Sequence, residues 1–158
     1  MEQKKISLGR LVMPILSILI LAGCASVKLE PADFQWPLEV VLDVDKAGKV
    51  TDNRYSLELN VKQLIENEEK DGGKLEGGKI RIIRDKKGYY YVTAKGFKNI
   101  YIFEQEEGML SSKKIIEPVK DKTLQNPAFN QRGEYIEFLE GGKVLFKLNH
   151  KGIIKGDK

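Results

Sequence analysis

Few residues in this sequence have the types and spacing that metal binding requires. Asp43 and Asp45 begin like a calcium loop, which places oxygen ligands at alternate positions and a bidentate Glu at the twelfth. Ala47 stands at the fifth position and Arg54 at the twelfth, so a β-turn is the better interpretation. His150 is the only histidine and follows a predicted strand, without the convergent ligands that a metal site needs. The sequence predicts no metal site and no cofactor.

Carboxylates are the other candidates for catalysis. Glu104, Glu106 and Glu107 form an acidic run, and a pair of carboxyl groups can hydrolyse glycosides. This run ends at a predicted turn, which is typical of a solvated segment. The chain also lacks a Gly-x-Ser-x-Gly elbow and a phosphate-binding P-loop. We therefore predict no catalytic residue and a protein that is not an enzyme.

The amino-terminal stretch is the most informative part of the sequence. Lys4, Lys5 and Arg10 precede an apolar run from Leu11 to Ala22. That run is about half of the roughly 20 residues that cross a bilayer as a helix. A basic segment, a short apolar segment and small residues are together typical of a cleaved signal peptide.

The end of this stretch, Leu21-Ala22-Gly23-Cys24, resembles the lipobox of bacterial lipoproteins. The resemblance implies cleavage between Gly23 and Cys24, and acyl chains on Cys24 that hold the protein to a membrane. Two or more acyl chains make such attachment stable, whereas one chain binds reversibly. Ala25 follows the cysteine, and by family analogy this implies sorting to the outer membrane.

These features divide the chain into a cleaved signal peptide at 1–23, a lipidated tether at 24–37 and a single β domain at 38–158. Cys24 is the only cysteine, so a lipidated chain has no disulfide and no cysteine nucleophile. Phe34 and Trp36 lie at the end of the tether, where they either cap the core or face a partner, since aromatic rings tolerate half-wet sites.

The charge balance argues against nucleic-acid binding. The full chain has a net charge of +4, and removal of Lys4, Lys5, Arg10 and Glu2 with the leader lowers it to +2. A nucleic-acid-binding domain concentrates basic residues, whereas this chain mixes both signs. We expect partners in the membrane and among envelope proteins, not nucleic acid.

Period-two alternation dominates the rest of the chain and predicts strands. It begins at Leu38, and helical spacing after Val61 predicts at most one short helix. Glycine-containing turns at 85–88 and 141–142 predict hairpins, whereas 111–127 lacks periodicity and is interpreted as a long connection in which Ile115 and Ile116 pair briefly. The predicted fold class is all-β, an antiparallel hairpin meander of eight or nine strands.

Tyrosines on these strands are candidate contacts. Tyr90 must face opposite to Tyr89 and Tyr91 because successive strand residues alternate. One face belongs to the core, and the other could present Tyr90 and Tyr101 to a partner or ligand. Ordinary strand aromatics are the simpler alternative.

The carboxy-terminal half contains an internal repeat of about 45 residues. Gly88, Gly96 and Gly108 align with Gly133, Gly141 and Gly152, and a shorter third copy spans 40–50. This length matches a propeller blade of four short strands. The segment 126–136 is similar to the blade signature of TolB-type propellers, although Asn130-Gln131-Arg132 replaces the expected Ser-Pro-Asp.

Propellers typically close with 4–8 blades, and this chain supplies at most three. The alternatives are an open propeller-like meander, a small barrel or sandwich, or assembly of blades between chains.

The expected function follows from an anchor and a β domain without identifiable chemistry. We predict a lipid-anchored cell-envelope protein with a non-catalytic binding or scaffolding role in an envelope protein assembly. The alternative is a β-barrel carrier that binds a small hydrophobic molecule or a sugar.

Overall fold

Alternating apolar and polar residues form most of the ordered backbone. The structure is a computed structural model and describes residues 36–53, 57–106 and 108–155. The strands are β1 (Trp36–Asp43), β2 (Lys49–Asp52), β3 (Leu57–Asn60), β4 (Lys79–Arg84), β5 (Tyr90–Ala94), β6 (Ile100–Glu106), β7 (Met109–Ile116), β8 (Pro127–Arg132), β9 (Tyr135–Glu140), β10 (Lys143–Asn149) and β11 (Gly152–Ile153). One helix, α1, spans Lys62–Lys70. The predicted all-β class is confirmed.

The strands form three antiparallel sheets. The main sheet has the order β1-β4-β5-β6-β7, and the second sheet has the order β11-β10-β9-β8. Strands β2 and β3 form a separate small hairpin. No sheet among the described strands closes into a barrel, and the described strands agree with an antiparallel meander.

The middle strands β4 and β5 of the main sheet are largely buried on both faces. One face carries Ile80, Ile82 and Val92 and packs against α1 and the small hairpin. The opposite face carries Ile83, Tyr91 and Ile102 and packs against apolar residues of the second sheet. All residues of β5 are consequently buried. The described chain is therefore layered, with the main sheet in the middle.

An aromatic row forms the core of the second sheet. Phe129, Phe138 and Phe146 lie on the three neighbouring strands β8, β9 and β10, with centroid separations of 5.7 Å and 5.3 Å. Phe129 also contacts Tyr91 of the main sheet edge-on at 6.4 Å. Such rings bury large apolar areas and stabilise the contact between the two sheets.

Glu39 connects the two sheets at one corner. Its carboxylate pairs with Arg81 of β4 at 2.5 Å and accepts a hydrogen bond from the backbone N–H of Phe129 in β8 at 2.9 Å. Burial raises the pKa of Glu39 above its ordinary value, although Arg81 and the Phe129 N–H oppose this change. The same contacts cover part of the β8 edge.

The repeat predicted from the glycines corresponds to two four-stranded meanders, β4–β7 and β8–β11. Two of the three aligned pairs, Gly88 with Gly133 and Gly96 with Gly141, occupy equivalent turns, whereas Gly108 precedes β7 and Gly152 is the first residue of β11. All six glycines have positive φ, for example 86° at Gly96 and 58° at Gly141. Positive φ favours glycine because it lacks a Cβ atom. The proposed third copy at 40–50 does not repeat this pattern, since β1 pairs with β4 and β2 pairs with β3.

Other differences from the predicted elements have simple causes. The interpretation of 111–127 as a connection was wrong for its first part, because β7 extends to Ile116. β7 is an edge strand, and most of its residues are exposed on both faces, so no alternation marks it. β1 begins at Trp36, two residues before the predicted start at Leu38. Eleven strands are described, against eight or nine predicted.

Candidate functional site

A cavity of about 570 Å³ lies over the main sheet, between α1 and β7. Leu59 of β3 and Leu64 of α1 line one side, and Leu110 and Ile115 of β7 line the other. The helix and the small hairpin cover only part of this sheet face, and the cavity occupies the remainder above β6 and β7. Its volume is within the range of about 300–1,000 Å³ that is typical of small-molecule sites.

The floor of the cavity is aromatic. Tyr101 and Phe103 project from β6 with centroids 6.2 Å apart and planes only 14° from parallel, and Val92 of β5 lies beside them. Tyr101 is buried and Phe103 is partly exposed. Residues two apart on a strand share one face, so the alternation in β6 places both rings in the cavity.

A buried carboxylate fixes this floor from behind. Glu68 of α1 is fully buried and accepts hydrogen bonds from the backbone N–H groups of Lys98 at 2.7 Å and Asn99 at 3.2 Å. The Tyr101 hydroxyl lies close to this carboxylate. Burial, and then the nearby Glu68, raise the pKa of Tyr101 well above its ordinary value. The ring is therefore held as a neutral phenol in one orientation.

The rim of the cavity is polar and uncharged. Gln63 and Asn67 are exposed, line the cavity and lie one turn apart on α1, whereas Ser112 lines it from β7. Among the described lining residues the only charged one is Glu58, and its carboxylate pairs with Lys49 at 2.5 Å. The cavity thus combines apolar walls with neutral donors and acceptors.

A separate cluster of titratable side chains lies on the opposite face of the main sheet. Tyr89 donates a hydrogen bond to Glu104 at 2.9 Å, and Lys113 pairs with the same carboxylate at 2.7 Å. Lys113 and then Tyr89 lower the pKa of Glu104, while the hydrogen bond to Glu104 raises that of Tyr89. His150 stacks on the Tyr89 ring at 4.7 Å. Because Glu104 is already paired with a cation, this geometry is that of a surface ion pair and not of a free base.

The predicted contact residues have different positions. Tyr90 and Tyr101 are buried, at 5% and 2% exposure, and both belong to the core beneath α1. Tyr101 lines the cavity, whereas Tyr90 does not present its ring to solvent because both faces of the main sheet are covered. The backbone of Trp36 lies in β1. Phe34 is outside the described residues.

The lipidation and cleavage residues, Gly23 and Cys24, also lie outside the described residues, so modification of Cys24 stays a prediction.

Asp45 accepts hydrogen bonds from the N–H groups of Ala47 and Lys49, both at 2.8 Å, as expected of the predicted β-turn. Within ranges 36–53, 57–106 and 108–155, no three His, Cys, Asp or Glu side chains converge as metal ligands. In the same ranges, no helix has both the length and the apolar character needed to cross a membrane.

The sequence reasoning missed the apolar cavity and the role of Glu68. Helical spacing did place Glu68 on the same face as Val61, Leu64 and Ile65, and a carboxylate on an apolar face is a usable signal of a buried partner. Its partners at Lys98 and Asn99 are about thirty residues away, so sequence alone could not identify them.

Comparisons with protein-family models, with curated proteins and with solved structures found no match. The similarity of 126–136 to a TolB-type blade therefore stays a prediction.

Proposed function

We propose that this chain is a lipid-anchored cell-envelope protein with a non-catalytic binding role in an assembly of envelope proteins. The anchor is the lipobox-like Leu21-Ala22-Gly23-Cys24, and attachment is through acyl chains on Cys24. The folded layers then face water beside the membrane, with the outer membrane as the proposed location.

The distribution of exposed apolar side chains supports a binding role. Within the part of the chain that the structure describes, the exposed large hydrophobic residues all lie on strands at sheet edges: Leu38, Val41, Met109, Ile115, Val144, Leu145 and Ile153. β10 counts as an edge for most of its length because β11 pairs only with Leu148 and Asn149. Exposed apolar residues concentrated at open edges are typical of surfaces that bind another protein.

The anchor is tested by replacing the thiol. Cys24→Ser removes the acceptor of the acyl chains, so the variant should keep its leader and leave the membrane fraction when cells are fractionated. Ala25→Ser is the matched control and should fractionate like the wild type. Sedimentation of Cys24→Ser with the envelope at processed length would contradict the proposal.

The binding role is tested by photo-crosslinking in cells. A photoreactive phenylalanine analogue at Val144 or Ile115 should give a discrete crosslinked species that contains a second envelope protein. The same analogue at Thr51, which is exposed on the small hairpin, is the control and should give no such species. Equal labelling at all three positions, or none at Val144 and Ile115, would argue against an edge-mediated assembly.

A second candidate function is binding of a small molecule, and the cavity of about 570 Å³ between α1 and β7 favours it. The sequence predicted a ligand site in the mouth of a β-barrel, whereas the observed cavity lies on an open sheet. It is compatible with the anchor, because a tethered protein can hold a ligand as well as a partner.

A further inference from the structure

We propose that the cavity between α1 and β7 binds an uncharged amphiphile, a molecule with an apolar ring-containing body and a neutral hydrogen-bonding end. This inference rests on the second candidate function and names the ligand class for that site.

The apolar body of the ligand is inferred from the apolar residues that line the cavity. Val92 and Phe103 form the floor, and Leu64 and Leu110 face each other across it. A planar ring can lie against the exposed part of Phe103, whose own ring is nearly parallel to that of Tyr101. Offset stacking of aromatic rings adds about 0.5–1.5 kcal/mol beyond the burial of their area.

The floor is ready for a ligand because it does not need to be ordered on binding. Glu68 is fully buried, and its hydrogen bonds to the Lys98 and Asn99 backbone fix the helix against the sheet. A site that is ordered before binding loses less conformational entropy when the ligand enters.

The absence of net charge on the ligand is inferred from the lining. Glu58 is the one charged side chain among the described lining residues, and Lys49 neutralises it. A charged group that entered the cavity would lose its hydration without gaining a counter-ion, which is costly. The carboxamides of Gln63 and Asn67 and the hydroxyl of Ser112 can instead satisfy neutral polar groups at the rim.

The test uses two fluorescent probes that share an aromatic body and differ in charge. N-phenyl-1-naphthylamine is uncharged, whereas 8-anilinonaphthalene-1-sulfonate carries a sulfonate on the same skeleton. The full chain is held in a neutral amphipathic polymer, and each probe is titrated by fluorescence at constant polymer concentration. We expect saturable binding of the uncharged probe and at least about tenfold weaker binding of the sulfonate, since a tenfold ratio is a modest penalty for burying an unpaired charge.

Variants assign the signal to the cavity. Ser112→Phe places a ring beside Phe103 and should weaken binding of the uncharged probe by about tenfold or more. Thr51→Phe adds the same side chain to the small hairpin outside the cavity and should bind like the wild type. If Ser112→Phe loses its cooperative urea transition, the exposed pair Gln63→Ala and Asn67→Ala replaces it and should weaken binding several-fold. Glu66→Ala on the same helix, outside this cavity, is its control.

Three results would overturn the proposal, and they have different meanings. Non-saturable binding of both probes would remove the small-molecule function itself. Saturable binding of both probes with equal affinity would retain a small-molecule site but refute the inferred ligand class. Saturable binding that neither cavity variant alters would place the site elsewhere on the protein.

Discussion

Replacement of Glu68 by alanine should destabilise the fold strongly, because this carboxylate satisfies several buried polar groups at once. Its side chain is fully buried and accepts two backbone N–H groups, from Lys98 and Asn99, at 2.7 Å and 3.2 Å. The Tyr101 hydroxyl lies close to the same carboxylate. In Glu68→Ala these donors lose their acceptor in a region that is largely closed to water.

The magnitude follows from the number of groups that lose their partner. A buried donor without an acceptor costs about 1–3 kcal/mol, and the Asn99 N–H is the more buried of the two backbone donors. The loss of the carboxylate also removes a desolvated charge, which offsets part of this cost. We expect a decrease of about 3–5 kcal/mol in the free energy of unfolding, a large share of the roughly 5–15 kcal/mol of a typical domain.

The assay is urea unfolding of the full chain followed by far-ultraviolet circular dichroism. With a slope of about 2 kcal/mol per M, the midpoint should decrease by about 1.5–2.5 M. Glu69→Ala changes the exposed neighbour on the same helix and should alter stability by no more than about 0.5 kcal/mol. Tyr101→Phe should cost about 1 kcal/mol in the wild type and less when combined with Glu68→Ala, because the Tyr101 hydroxyl lies beside the Glu68 carboxylate.

A decrease below about 1 kcal/mol for Glu68→Ala would refute this reasoning. It would mean that water reaches the Lys98 and Asn99 N–H groups, and that α1 is not fixed to the sheet through the carboxylate. If the changes that Glu68→Ala and Tyr101→Phe cause in the free energy of unfolding are additive, the result would contradict a direct interaction between these two side chains.

Three further predictions concern the remaining layers. Gly96→Ala should lower the free energy of unfolding by about 2–4 kcal/mol, because φ is 86° and a Cβ would meet a backbone carbonyl. Gly133→Ala is the comparison, since Gly133 has open space around it, and it should lower the free energy of unfolding by only about 1 kcal/mol. Urea unfolding measures both values. Asp85→Ala should cost about 2–4 kcal/mol by the same measurement, since two turn N–H groups and the Tyr91 hydroxyl donate to this carboxylate. Because the pKa of Glu39 is raised in the folded state, this residue stabilises the fold below pH 4.5. Its contribution to the free energy of unfolding declines as pH rises through the folded-state pKa. Between pH 4 and pH 7, the urea midpoint of Glu39→Gln minus that of the wild type should therefore increase. A difference that stays constant or decreases over this range would contradict the prediction.

Local features of the fold were predictable because their causes are local. Gly141 and Gly142 have positive φ, and they join β9 to β10 with Glu140 opposite Lys143, as the glycine pair predicts. The first two aligned pairs of the repeat, Gly88 with Gly133 and Gly96 with Gly141, likewise mark equivalent turns in the two meanders. Short loops leave few ways to pair adjacent strands, so hairpins can be read from the residues between them.

Features that depend on distant parts of the chain were not predictable. Tyr90 was a candidate contact because alternation gives one face to solvent, but both faces of the main sheet are covered by other layers. The cavity was not predictable for the same reason, because it depends on where α1 ends above β6 and β7. Periodicity reports the environment along one strand and contains no information on which element covers it.

The pairing of β1 with β4 has a consequence for the order of folding. Every other neighbouring pair in the main sheet is consecutive along the chain, whereas Asp43 lies opposite Lys79 and Trp36 lies opposite Arg84. Closing so long a loop costs more entropy than forming a hairpin, and non-local pairings of this kind slow folding. A chain that emerges amino terminus first must therefore hold β1 unpaired until β4 has appeared, and this interval is the period in which premature contacts of the first strand are most damaging.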